Sequence, residues 1–133
     1  VQYSALVKGA KLALRLNDGA AAKWYTDQAK QILVSLEKFI DTKRQIIVVT
    51  LNSKPSRKRV TEKASGLDIG VILGVLHANL SKGEFSVFDP VVLKTAQVLE
   101  QTFQELYPIN QILEDRDGEL MRSAIGRYPE DTY

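Results

Sequence analysis

Residues 20–40, AAAKWYTDQAKQILVSLEKFI, carry the clearest secondary-structure signal in the chain. Apolar side chains recur at the three- and four-residue spacing of one helical face, with lysines and an aspartate opposite. The apolar stripe consists of Trp24, Tyr25, Ala29, Ile32, Leu33, Leu36 and Phe39. The pattern predicts an amphipathic helix from about Ala20 to Ile40, with Trp24 and Tyr25 as its aromatic anchors in the core.

The segment before this helix predicts a second one. Residues 2–16 repeat the helical spacing, and Asn17-Asp18-Gly19 then stops the pattern. Two helices joined by so short a turn form an antiparallel hairpin, the unit of helical bundles, solenoids and α/α barrels. The expected fold class is therefore all-α.

The chain after the hairpin predicts one extended segment and an exposed loop. Gln45 to Leu51 is rich in β-branched residues, which favours a short strand, and we expect an isolated interruption rather than a sheet. Residues 54–59, KPSRKR, combine Pro, Ser and four basic residues, which predicts a loop in solvent. Aromatic residues are absent from this cluster, so a solvated loop is favoured over a nucleic-acid or phosphate site.

Two further helices are predicted in the second half of the chain. An apolar pattern from Leu67 to Leu80 indicates a buried helix, which two internal glycines weaken. The next helix should begin at Asp89, because Asp caps exposed N–H groups and Pro90 is tolerated at the first helical position. Its apolar stripe continues to Tyr107-Pro108, where proline limits further helix.

Composition excludes several classes of function. The 133 residues are 44% apolar and 26% charged, which is typical of one soluble globular unit. A net charge of +2 is too small to indicate a nucleic-acid or membrane partner. There is no cysteine, and His77 is the single histidine, so we expect His77 to be structural and predict no metal or other cofactor. The acidic residues between 114 and 119 lack the spacing of a calcium loop.

The two ends of the chain carry a family resemblance. Residues 124–133, AIGRYPEDTY, resemble the G-R-Y-P-E-D-x-Y segment of glucoamylases, glycoside hydrolase family 15, and residues 1–9, VQYSALVKG, are similar to the family's V-Q-x-x-A-L-V-x-G helix. Between them, residues 73–77, LGVLH, look like its L-L-G-x-x-H segment, and residues 88–110 match the stretch leading to the Arg-Tyr-Pro loop. The resemblance covers residues 1–133 and implies a single partial domain, whose helix hairpins form an arc of the family's (α/α)6 barrel.

The resemblance implies an inverting hydrolase that cleaves α-1,4-glucosidic bonds at the non-reducing ends of starch or glycogen and releases glucose. Inversion requires a carboxylic acid and a carboxylate base roughly 6.5–9.5 Å apart. In the family the acid lies in a Trp-Glu-Glu segment shortly before this region, and the base lies well beyond it. Neither motif occurs in the chain, so we expect no catalytic residue here.

The resemblance does carry over residues that bind sugar. Arg127 matches the family arginine that hydrogen-bonds glucose hydroxyls, Tyr128, Asp131 and Tyr133 match its loop neighbours, and Glu130 is expected to support them. A guanidinium offers several fixed donors to vicinal hydroxyls, and a tyrosine offers an apolar face with a polar tip. The expected partner is an α-glucan or maltooligosaccharide.

Location and assembly are also implied by the resemblance. Members of the family are usually secreted or vacuolar, and Asn79-Leu80-Ser81 is an N-glycosylation sequon. The first residues show no initiator Met and no signal-peptide pattern, so we expect an internal part of a longer polypeptide. An arc of a barrel exposes apolar edges, which predicts self-association or low stability of the isolated chain. The alternative interpretation is a non-catalytic helical interaction module, motivated by the hairpin, the basic loop and the missing carboxylates.

Overall fold

The computed structural model describes residues 1–51, 65–111 and 125–129. These residues form four α-helices, one two-stranded sheet and a short 3₁₀ helix: α1 Gln2–Arg15, α2 Gly19–Glu37, β1 Ile40–Asp41, β2 Ile46–Ile47, α3 Gly70–Ala78, α4 Pro90–Leu106 and 3₁₀ Pro108–Gln111. The all-α prediction is confirmed. The basic loop at 54–59 and the acidic residues between 114 and 119 lie outside the described residues.

The first two helices form the predicted hairpin. Asp18 ends the turn and caps α2, because its Oδ1 accepts a hydrogen bond of 2.9 Å from the Ala21 N–H. Asn17 takes the left-handed conformation, with a φ of 59°, that so tight a reversal requires. The buried apolar residues of the two helices are alanines: Ala10, Ala13, Ala22 and Ala29. Small side chains let the two helix axes approach closely.

The prediction that Trp24 anchors α2 in the core is wrong. Trp24 is 57% exposed, and its ring meets the Tyr25 ring edge-on, with centroids 5.3 Å apart. The buried face of α2 runs through Ala22 and Ala29 instead. At about 100° of rotation per residue, Trp24 lies roughly 200° around the helix from Ala22 and so points away from α1. Tyr25 is half-buried and packs beside Gly9 of α1.

The extended segment is part of a small antiparallel sheet, which corrects two expectations. Helix α2 ends at Glu37 and not near Ile40 as predicted. Ile40 lies instead in a strand that pairs with Ile47, so the extended segment is part of a sheet and not isolated. The turn between the strands is held by Asp41, whose carboxylate accepts hydrogen bonds from the Lys43 and Arg44 N–H groups and from Arg44 Nε at 2.7 Å. The hydrogen bonds from Arg44 lower the pKa of the Asp41 carboxyl.

The small sheet docks onto α4 through a buried hydroxyl. The Ile47 N–H donates to Thr95 Oγ1 at 2.8 Å, and Thr95 Oγ1 donates to the Val91 carbonyl at 2.7 Å. Thr95 is fully buried, so these hydrogen bonds satisfy its hydroxyl where water does not reach. The strand edge is thereby fixed against α4.

Helix α4 begins at a side-chain cap, and an aspartate hydrogen-bonds the first residue of α3. Asp89 Oδ1 accepts from the Val91 N–H at 3.0 Å, and Pro90 is the first residue of α4, which confirms that prediction. Helix α3 begins at Gly70, three residues later than the apolar pattern suggested. Asp68 lies one residue before the N-cap Ile69, and its Oδ1 accepts a hydrogen bond of 2.7 Å from the N–H of Gly70, the first residue of the helix.

Two apolar clusters join these elements. The first cluster joins three parts of the chain, namely β2, the segment that precedes α3, and helix α4. The second cluster lies near the start of α4. The buried members of the first are Ile46, Leu67, Leu99 and Phe103, and those of the second are Ile47, Val75 and Val92. The sheet, α3 and α4 therefore share one core, beside the α1–α2 hairpin.

Helix α3 is apolar on its outer side as well. Its sequence, GVILGVLHA, has no acidic or lysine and arginine side chain, and Leu73 and Leu76 are 48% and 56% exposed. A helix that is apolar all round is typical of the interior of a larger protein. His77, which we expected to be structural, is also exposed on α3, roughly 200° around the helix from the buried Val75.

The described ranges also bear on membranes and metals. None of the helices within residues 1–51, 65–111 and 125–129 is both long and apolar enough to cross a bilayer. Within the same ranges, no three His, Cys, Asp or Glu side chains are grouped so that they could hold a metal ion.

Candidate functional site

Residues 125–129 lie where α3 begins and α4 ends. The Ile69 N–H, one residue before α3, donates to the Arg127 carbonyl at 2.8 Å. On the other side, Gly126 lies against Phe103 and Tyr107 at the end of α4. The backbone that carries Arg127 is therefore held between two helix ends.

Gly126 occupies a position where any side chain would force its neighbours to move. A Cβ built on it would lie 2.9 Å from Phe103 Cε1 and closer still to the Tyr107 hydroxyl. Phe103 is fully buried, and its ring stacks on that of Tyr107 with centroids 5.3 Å apart. The glycine thus allows the loop to approach a packed aromatic pair.

The end of α4 is itself fixed. Asn110 is buried, and its Nδ2 donates to the Phe103 carbonyl at 2.9 Å. The Tyr107 N–H also donates to this carbonyl, at 3.0 Å. One of the last carbonyls of the helix is thus satisfied, and the aromatic pair under Gly126 is held in place.

The Arg127 side chain extends outward from this fixed backbone. Its side chain is 68% exposed, and its Nε lies 3.9 Å from Oδ2 of Asp68. Its Cζ lies 5.6 Å from the centroid of the Tyr128 ring, within the range of a cation–π contact. An exposed guanidinium with a carboxylate and an aromatic ring beside it is suited to binding a polyhydroxylated or anionic ligand.

The structure brings together two of the residues predicted for the site. Arg127 and Tyr128 are adjacent and in contact. Asp131, Tyr133 and the supporting Glu130 lie outside the described residues, so their roles stay predictions.

Asp68 is a neighbour of Arg127 that the sequence reasoning missed. Its side chain is 8% exposed, accepts a hydrogen bond from the Gly70 N–H at the start of α3 and pairs with Arg127. An available signal was the Asp two residues before a glycine that opens an apolar run, a pattern typical of a helix N-terminus. That signal predicts the hydrogen bond between Asp68 and the start of α3 but not the pairing of Asp68 with Arg127.

Comparison with known proteins assigns the chain to a family. The sequence model for glycosyl hydrolases family 15 matches residues 1–133. The chain belongs to glycosyl hydrolase family 15. A glucoamylase of Blastobotrys adeninivorans is 31% identical over 133 residues, and glucoamylase 1 of Rhizopus oryzae is 33% identical over 133. Each alignment covers 100% of this chain and 20% of the relative, so the family-15 chain spans about a fifth of the length of these relatives.

The family-15 assignment extends to the fold. A glucoamylase from Saccharomycopsis fibuligera, solved at atomic resolution, aligns with a TM-score of 0.69 and 25% identity. The alignment covers 98% of this chain and 26% of that chain. The helix hairpins are thus part of the family's (α/α)6 barrel, as the resemblance implied. Among relatives matched over part of the chain is an intracellular sporulation-specific glucoamylase of Saccharomyces cerevisiae, 38% identical over 73 residues, which are 52% of this chain and 13% of the relative.

Proposed function

We propose that this family-15 chain supplies part of the sugar-binding surface of a glucoamylase. The complete polypeptide would hydrolyse α-1,4-glucosidic bonds from the non-reducing ends of starch or glycogen with inversion and release glucose. The observation that carries this proposal is the Arg127 guanidinium, 68% exposed on a loop that backbone contacts hold at two helix ends. Family membership over residues 1–133 supports the reaction type.

The chemistry of the loop suits glucose. Arg127 presents fixed N–H donors that match vicinal hydroxyls, and the Tyr128 ring beside it provides an apolar face. We assign Asp131 and Tyr133 to the remaining contacts with the sugar and Glu130 to their support. The general acid and base come from the rest of the polypeptide, because the Trp-Glu-Glu segment expected around the acid is absent from residues 1–133.

The complete polypeptide is expected to release β-D-glucose as the first product from maltotriose. Inversion at an α-linked anomeric carbon gives the β-anomer, and exo-attack gives glucose before any longer product. Proton NMR of the anomeric signals in the first minutes measures both the anomeric form of the glucose and whether glucose appears before longer products. Cellobiose, which has a β-linkage, is the control and should not be cleaved. Release of α-D-glucose, or of maltose before glucose from longer chains, would rule out this function.

The alternative of a non-catalytic helical interaction module was motivated by the hairpin, the basic loop at 54–59 and the missing carboxylates. The basic loop lies outside the described residues, and the hairpin and the missing carboxylates also fit a fragment of a hydrolase. Family membership over the whole chain favours the hydrolase.

We further propose that Asn79 carries an N-linked glycan if the polypeptide enters the secretory pathway. Asn79 is exposed and ends α3 in the left-handed conformation, with a φ of 49°, while Leu80 of the same sequon is buried. The acceptor side chain thus lies at a helix end in solvent. Peptide mass spectrometry of the complete polypeptide secreted from yeast should show a glycan at residue 79. Ser81→Ala keeps Asn79 but removes the sequon, so it should abolish the glycan, whereas an unmodified Asn79 in the secreted parent protein would refute this assignment.

A further inference from the structure

The buried carboxylate of Asp68 lies next to the Arg127 side chain, and its hydrogen bond to the start of α3 does not by itself explain this position. The Asp68 side chain is 8% exposed, whereas the Arg127 side chain is 68% exposed. A buried carboxylate is costly unless hydrogen bonds and a counter-charge compensate for its lost hydration. Asp68 has both, since the Gly70 N–H donates to Oδ1 at 2.7 Å and Arg127 Nε lies 3.9 Å from Oδ2.

Asp68 and Ile69, which are consecutive in the chain, contact the side chain and the backbone of Arg127. The Ile69 N–H binds the Arg127 carbonyl at 2.8 Å, and the Asp68 carboxylate next to it attracts the guanidinium at Nε. At 3.9 Å the Asp68–Arg127 contact is an ion pair rather than a hydrogen bond. The pair therefore restrains the guanidinium through its Nε side.

The position of Asp68 is fixed more firmly than that of its partner. Asp68 lies between Leu67, a buried member of the first apolar cluster, and the first turn of α3. Upstream, the Arg44 Nη1 group donates to the Ser65 carbonyl at 2.8 Å, and the Val49 N–H donates to the Gly66 carbonyl at 3.0 Å. The Asp68 carboxylate is thus held in one position beside the long and flexible Arg127 side chain.

We propose that Asp68 is a positioning residue, whose carboxylate orients the Arg127 guanidinium for the sugar. This inference rests on the proposed function of Arg127. Without the carboxylate, Arg127 would have to lose more rotamer freedom when it binds a hydroxyl, so sugar affinity falls. Asp68 acts through Arg127 and does not itself touch the sugar.

Asp68→Asn in the complete polypeptide tests the proposal. Asparagine keeps a side-chain oxygen that can accept from the Gly70 N–H but removes the charge that attracts Arg127. We expect KM for maltotriose to rise roughly tenfold, with a smaller change in kcat and an unchanged melting temperature. Asp89→Asn is the matched control, because Asp89 likewise accepts from the N–H two residues later, at the start of α4, and within the described part of the chain it forms no ion pair with an arginine. It should leave KM unchanged.

A double-mutant cycle separates positioning from a structural role. In an Arg127→Ala background, Asp68→Asn should have no further effect on KM, because its action passes through the guanidinium. Additive effects would overturn the proposal, as would an unchanged KM in Asp68→Asn while Arg127→Ala raises it. If Arg127→Ala itself leaves KM unchanged, the proposed function fails instead. Should Asp68→Asn fold poorly, Asp68→Ser retains a capping oxygen and is expected to give the same KM shift.

Discussion

Replacing Arg127 with alanine in the complete polypeptide is expected to lower kcat/KM for maltotriose by roughly 100-fold. A hydrogen bond from a charged donor contributes about 1.5–3 kcal/mol, so the loss of two contacts amounts to about 3 kcal/mol or more. Arg127→Lys keeps the charge but loses the planar fork that matches vicinal hydroxyls. Its kcat/KM should fall by roughly tenfold. Steady-state kinetics on maltotriose measures both variants.

The control for this experiment is Arg15→Ala. Arg15 lies in the last turn of α1 and is exposed, so its removal takes away the same charge at another helix end. Its kcat/KM should stay within about twofold of the parent, as is usual for a surface substitution. Equal losses in Arg15→Ala and Arg127→Ala would point to overall charge and not to a sugar contact.

The largest loss of stability is expected from Phe103→Ala, at about 3–5 kcal/mol. Phe103 is fully buried among Ile46, Leu67 and Leu99, and its ring also supports the Tyr107 ring and the Gly126 backbone. Removal of the ring leaves a cavity at the point where the sheet, the start of α3 and α4 meet. Equilibrium denaturation of the complete polypeptide measures the free energy of unfolding.

Phe103→Leu is the matched variant, because leucine refills most of the cavity. Its loss should be about 1 kcal/mol, with KM little changed. Phe103→Ala should in addition raise KM for maltotriose, since the loop at Gly126 loses its support. A loss below about 1 kcal/mol for Phe103→Ala would mean that the core is elsewhere in the complete protein.

Local signals in the sequence predicted much of the helical structure. Asp89 and Pro90 define the start of α4 through interactions within a few residues, and Asp18 does the same for α2. The sheet was missed because the pairing of Ile40 with Ile47 joins two-residue strands, which leave almost no periodic pattern. Trp24 was misplaced because the pattern does not show which part of a broad apolar face meets the neighbouring helix.

The site was predictable only in part. Arg127 and Tyr128 were predicted through the family motif. Asp68 escaped because its partnership with Arg127 joins residues far apart in the sequence, and no short motif records such a contact. The fit of Gly126 against the aromatic pair likewise depends on how α4 and the loop pack.

A crystal structure of the complete polypeptide with bound maltose tests most directly whether Arg127 binds glucose. We predict guanidinium nitrogens of Arg127 within about 3.2 Å of hydroxyl oxygens of one glucose unit, with the side chain beside Asp68. A well-ordered maltose in the barrel with Arg127 more than about 6 Å away, or with its guanidinium covered by another part of the protein, would contradict it.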